Sequence, residues 1–130
     1  MDEIARESLG ISVWKLFADK AKNRINSLTF DVRELNKLGK RVAGYGASAK
    51  STVWISACGF GVKDIECVYD NTPYKQWTYS PGTDIPIRPS TSLLEDMPDC
   101  CVLFAWNYAE EIALKESSYL RAGGKFIVPK

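Results

Sequence analysis

No histidine occurs anywhere in the 130 residues. That removes the commonest general base, and with it the Ser-His and Cys-His pairings that activate a nucleophile. Chemistry by these side chains would fall to carboxylate, lysine or tyrosine, and no residue is assigned a catalytic role. The four cysteines form no C-x-x-C pair: Cys100 and Cys101 are adjacent in an apolar run, while Cys58 and Cys67 stand alone. That spacing argues against a metal site and for buried free thiols in a reducing compartment. A run of eighteen apolar residues is also missing, and the N-terminus is acidic and amphipathic, unlike a secretory signal. The expectation is a cytoplasmic protein without membrane contact. Lys and Arg number 17 against 16 Asp and Glu, so no positive field steers the chain onto nucleic acid. Internal repeats and low-complexity stretches are absent too.

What remains is an ordinary globular composition, 45% hydrophobic and 25% charged, long enough for one core but short for a two-domain enzyme. Trp14, Phe17, Ala21, Ile25, Leu28, Val32 and Leu35 recur at spacings of three and four, which predicts a long helix. Ser12 is placed to cap it and Gly39 to end it, with a separate helical turn before Gly10. This apolar stripe reads as core packing in preference to a docking face for a missing neighbour. The chain divides into a leading helical segment, 1–39, and a Rossmann-like core, 40–130.

After Gly39 strands and helices alternate. Strands are expected at 41–44, 65–69, 85–87, 100–105 and 125–128, and helices at 51–58, 90–96 and 108–119, with an irregular stretch from Thr72 to Gly82. The pattern implies an α/β fold: a three-layer, Rossmann-like domain with a mainly parallel sheet, right-handed crossovers and a long N-terminal helix. Ligands in such folds bind beyond the carboxyl ends of the strands.

One segment lying there is Gly44-Tyr45-Gly46-Ala47-Ser48-Ala49-Lys50. It reads as a strand end, a glycine loop and the first turn of a helix, a geometry that gathers backbone N–H groups for an anion. The spacing Gly44-x-Gly46-x-x-Ala49 fits the G-x-G-x-x-G/A dinucleotide fingerprint. It approximates a P-loop as well, but Ala49 stands where that loop needs its last glycine. Tyr45 is expected to project toward the crevice. Asp70, 24 residues after Gly46, either meets a sugar hydroxyl or starts a turn with Asn71. Lys50 and Lys75 either neutralise a diphosphate or are solvated. Trp106, beside Asn107, either stacks on a base or sugar or packs against the loop. A small NAD(P)-binding domain or oxidoreductase stays open on these residues, as does a loop whose glycines serve packing alone.

Five ordered motifs narrow the field: Gly44–Lys50, then Asp70-Asn71-Thr72-Pro73-Tyr74-Lys75-Gln76, Pro81-Gly82-Thr83-Asp84-Ile85-Pro86-Ile87, Trp106-Asn107, and Gly123-Gly124-Lys125-Phe126-Ile127-Val128-Pro129. Together they resemble the C-terminal domain of SAM-dependent sugar C-methyltransferases, over nearly the whole chain. In that family a zinc-binding segment and a SAM-binding domain precede this one. The enzymes methylate a carbon of a nucleotide-linked keto sugar through an enolate.

The resemblance implies a domain that binds the nucleotide sugar through Gly44, Tyr45, Gly46, Ala47, Ser48, Lys50, Asp70, Lys75, Trp106 and Asn107. It implies no cofactor in this domain, with SAM held by a methyltransferase domain in the same chain or a separate one. Methyl transfer by these residues alone is not expected. The alternative is a non-catalytic interaction module whose leading helix docks on a methyltransferase partner. One departure is visible: the family usually has glycine after Lys-Gln, and Trp77 stands there.

Overall fold

The computed structural model describes residues 13–104 and 106–129, with backbone alone for 13–22. Helix α1 runs Val13–Lys37, followed by β1 (Val42–Tyr45), α2 (Ala49–Cys58), β2 (Val68–Asp70) and β3 (Ile87–Pro89). A 3-10 turn, Ser90–Ser92, leads into the short α3 (Leu93–Asp96) and β4 (Cys100–Leu103). A second 3-10 turn, Trp106–Tyr108, precedes α4 (Ala109–Lys115), α5 (Ser117–Arg121) and β5 (Lys125–Ile127).

All five strands are parallel, in the order β3-β2-β1-β4-β5. The chain moves outward one way from β1, then returns to build β4 and β5 on its other side. That reversal creates a switch-point crevice beyond the ends of β1 and β4.

Alternation along the central strands makes the three layers, because successive side chains point to opposite faces. Val42 of β1 and Val102 of β4, with Phe104 just beyond it, face one core, which Leu28 and Val32 of α1 and Ile55 of α2 complete. Ala43, Tyr45, Cys101 and Leu103 face a second core with Leu93 and Tyr119 from the helices opposite. The stripe read from the sequence therefore packs inward over Ile25, Leu28, Val32 and Leu35. Ser12, the turn before Gly10 and the side chains of Trp14, Phe17 and Ala21 lie outside the described residues.

Three elements depart from the sequence reading in ways that bear on the site. The expected strand 85–87 joins β2 only from Ile87 onward. Ile85 instead accepts the Ser80 N–H at 2.8 Å, and Ile87 donates its N–H to Thr78 at 2.7 Å. Residues 77–80 thereby cover the outer edge of β3, which would otherwise expose unpaired backbone. The expected helix 108–119 divides at Glu116, whose side chain accepts a hydrogen bond from the Tyr45 hydroxyl at 3.1 Å. The strand expected over 65–69 pairs as β2 only from Val68, although Ile65 and Cys67 are already buried.

Candidate functional site

The glycine loop leaves β1 and enters α2, as the sequence predicts. Its two glycines do different work. Gly44 lies against Phe104: a Cβ there would stand 2.6 Å from the ring carbon Cε2, so this glycine serves close packing. Gly46 has φ of +95°, a conformation that disfavours any other residue, and it turns the chain away from the strand. Ser48 then caps α2, its hydroxyl accepting the Ser51 N–H at 3.4 Å. The amides of Ala49 and Lys50 open the helix with no intrahelical carbonyl to bond.

Asp70, at the end of β2, is only 8% exposed. One carboxylate oxygen accepts the Ala47 N–H and the other the Thr72 N–H, both at 2.7 Å. Burial by itself would raise its pKa, but these hydrogen bonds and the Lys75 charge outweigh that, holding the carboxyl below its ordinary range. Lys75 reaches back to donate to the Ala47 carbonyl at 2.8 Å. The Ala47 peptide is thus held at both ends. Asp70 and Lys75 shape the loop, and a carboxylate bound to two backbone amides has a structural role here without a ribose to hold. That arrangement weakens the nicotinamide reading of the fingerprint.

The segment after Asp70 is built on the same residue. Gln76 Nε2 donates to the Asp70 carbonyl at 3.0 Å, which brings Trp77 to the edge of β3. There Trp77 adopts φ of +67°, a left-handed conformation costly for a bulky residue. Its side chain is 72% exposed, so little packing offsets that cost. The glycine that the resemblance expects at this position is the residue this backbone favours.

The ten expected site residues separate into distinct places. Ala47, Ser48 and Lys75 line an open cleft of about 580 Å³ between the first turns of α2 and the segment 74–81. Thr52, Tyr74, Tyr79 and Ser80 complete its walls. The Ser51, Thr52 and Thr78 hydroxyls bond to main-chain carbonyls, so much of the surface they leave is carbon. Gly46 and Asp70 border a smaller hollow of about 280 Å³ beside Tyr108 and Glu111.

Tyr45 corrects the sequence reading. Its ring turns into the second core, 6% exposed, and meets Phe126 edge-on at 6.1 Å, while the residue also lines that smaller hollow. A residue pointing down from β1 must follow the strand's alternation, and the pleat sends Tyr45 inward with Ala43. Burial first, then the charge and hydrogen bond of Glu116, push its phenol pKa well above the ordinary value.

Lys50, Trp106 and Asn107 do come together. Lys50 Nζ lies 4.6 Å from the centre of the Trp106 ring and donates to Asn107 Oδ1 at 3.2 Å. Sequence reasoning missed Tyr74, Tyr79 and Ser80, which lie in the segment read as irregular.

Among the described residues no group of three or more Cys, Asp or Glu is placed to hold a metal ion. No described helix is long and apolar enough to cross a membrane. The chain is similar to the C-methyltransferase NovU of Streptomyces niveus, with 45% identity over 91 residues. The match takes in 70% of this chain and 22% of that relative's length. The family model for the C-methyltransferase C-terminal domain matches residues 1–130. On that match along its whole given length, the chain belongs to the C-methyltransferase C-terminal domain family.

Proposed function

We propose that this domain binds the substrate of a SAM-dependent C-methyltransferase, a nucleotide-linked sugar, and presents it to a methyl-donor domain in the same chain or a separate one. The observation that carries the reading is the 580 Å³ cleft beside the glycine loop. It lies between the glycine loop that follows β1, the first turns of α2 and the segment 74–81 along the outer edge of β3, and its volume suits a small organic molecule. Tyr74 and Tyr79 offer ring faces to the C–H surface of a sugar, and Lys75 and Ser80 offer polar contacts. The remaining hydroxyls keep acceptor lone pairs for sugar O–H groups.

SAM belongs to the other domain in this reading. In the loop that would take a dinucleotide, the Ala47 N–H already donates to Asp70 and the Ala47 carbonyl already accepts from Lys75. The four cysteines are unpaired, which fits a cytoplasmic setting.

A thermal-shift panel tests the proposal, because a ligand that binds the native state raises its stability in step with concentration over Kd. Nucleotide-linked keto sugars should raise Tm in a concentration-dependent way, while SAM and NAD(P)H leave it unchanged. Stabilisation by NAD(P)H without any by nucleotide sugars would defeat the reading. So would no stabilisation by nucleotide sugars combined with co-purification of a methyltransferase, which would make the chain an interaction module.

A further inference from the structure

Ser80 is only 3% exposed, yet it lines the large cleft beside the glycine loop. Its main chain is fully committed. The N–H donates to the Ile85 carbonyl at 2.8 Å. The carbonyl accepts the Thr83 N–H at 3.0 Å and the Thr83 hydroxyl at 2.8 Å. Among the described residues, however, the Ser80 hydroxyl has no hydrogen-bond partner. The neighbouring polar groups of the cleft all have one. Ser51 and Thr52 donate to the Ser48 carbonyl, Thr78 to that of Lys75, and Lys75 to that of Ala47. The two tyrosines of the wall stand largely in solvent.

A buried hydroxyl without a protein partner is rare in a folded chain, because losing its bonds to water costs stability. On the wall of a cleft, a ligand atom can restore the bond. Hydroxyl chemistry says which kind. Serine offers one donor and two acceptor lone pairs. A ketone oxygen only accepts, and the cleft group that suits it is Lys75, which only donates. A sugar hydroxyl does both, so it satisfies Ser80 in either direction. We propose that Ser80 is the specificity-determining residue of the cleft: it reads one hydroxyl of the sugar and disfavours a sugar deoxygenated at that carbon.

This role rests on the substrate reading above and adds a rule of selection to it. The ring faces of Tyr74 and Tyr79 accept either sugar, since both present C–H surface. Only Ser80 stays unpaired when the hydroxyl is missing, and a site built around a hydrogen bond rejects the analogue that lacks it. The turn also holds Ser80 in place. Its backbone is tied to Ile85 and Thr83, Pro81 follows it, and Gly82 closes the turn with φ of +72°.

Isothermal titration of the 130-residue chain, unaltered and as Ser80→Ala, tests this. The ligands are the nucleotide-linked keto sugar that raises Tm most in the panel above and analogues of it that each lack one sugar hydroxyl. The unaltered chain should bind one analogue at least about tenfold more weakly than the parent sugar. Ser80→Ala should weaken the parent about tenfold and bind that one analogue as tightly as the parent. Without ligand, the variant's Tm should stay level or rise, because alanine removes an unpaired polar group. If Ser80→Ala binds the parent sugar as tightly as the unaltered chain, the hydroxyl reads nothing, though the substrate reading stands. Equal weakening toward the parent and every analogue, or a marked fall in Tm, would give Ser80 a structural role and overturn the proposal. If the unaltered chain binds no nucleotide-linked sugar, both readings fall together.

Discussion

The Asp70 carboxylate accepts the Ala47 N–H at 2.7 Å across 23 residues of sequence, and this one contact joins the end of β2 to the glycine loop after β1. It is made by a buried charge, and hydrogen bonds of that kind are worth about 1.5–3 kcal/mol. Asp70→Ala should therefore cost about 2–3 kcal/mol in urea unfolding and should loosen both the loop and the segment after Asp70. Because the folded-state pKa lies below the ordinary one, the carboxylate stabilises the fold at neutral pH. That contribution starts to fall as pH drops below about 4 and is lost as pH falls through the folded-state value. Asp70→Asn should flatten this part of the pH profile, and an unchanged profile would show the clamp to be energetically idle.

Gly44 gives a second prediction, one that separates packing from ligand binding. A methyl group there would meet the fully buried Phe104 ring at 2.6 Å. Gly44→Ala should destabilise the domain by about 1–3 kcal/mol by overpacking, measured by denaturant titration. Gly44→Ala with Phe104→Leu should recover part of that loss, which a residue serving only a ligand would not show.

Trp77 is predicted to be a cost to stability. Its left-handed backbone is worth about 1–2 kcal/mol against a residue with a side chain, and the exposed indole returns little. Trp77→Gly should raise stability by about 0.5–1 kcal/mol after the added freedom of the unfolded glycine is subtracted. Trp77→Ala, which keeps the strain, should give no comparable gain. Both are read from the shift in Tm.

The layer structure was legible because the central strands are buried on both faces and the helix stripe has a clean period. Val42 to Tyr45 and Cys100 to Leu103 fall within a residue or two of where the apolar runs put them. The loop was legible from Gly46, whose φ demands glycine, and from Ser48, whose hydroxyl suits a cap. Tyr45 was misread because a motif says which residues are adjacent, while the pleat decides which face each takes. The cleft wall at Tyr74, Tyr79 and Ser80 was hidden for a different reason. Its shape depends on hydrogen bonds from Gln76 to the Asp70 carbonyl and from Ser80 to Ile85, and such irregular turn bonding leaves no periodic trace. Trp77 marked its own strain only by standing where a glycine was expected.

The cysteines should be chemically quiet. Burial pushes the Cys67 thiol up to about 11 and the Cys101 thiol up to about 12, and raises Cys58 and Cys100 as well. Thiolate is the reactive form, so all four should label slowly with a thiol reagent in the native protein at neutral pH and rapidly in denaturant. Fast native labelling of any one would identify a reactive site that the packing does not suggest.

The central claim is that the crevice beside the glycine loop holds the substrate of a methyl transfer. Titration calorimetry with a nucleotide-linked keto sugar, on the unaltered chain and on Tyr79→Ala, tests it most directly. The account predicts saturable one-to-one binding that weakens about tenfold in the variant, with no heat from SAM on either protein. Saturable binding of SAM, or nucleotide-sugar binding indifferent to Tyr79, would contradict it.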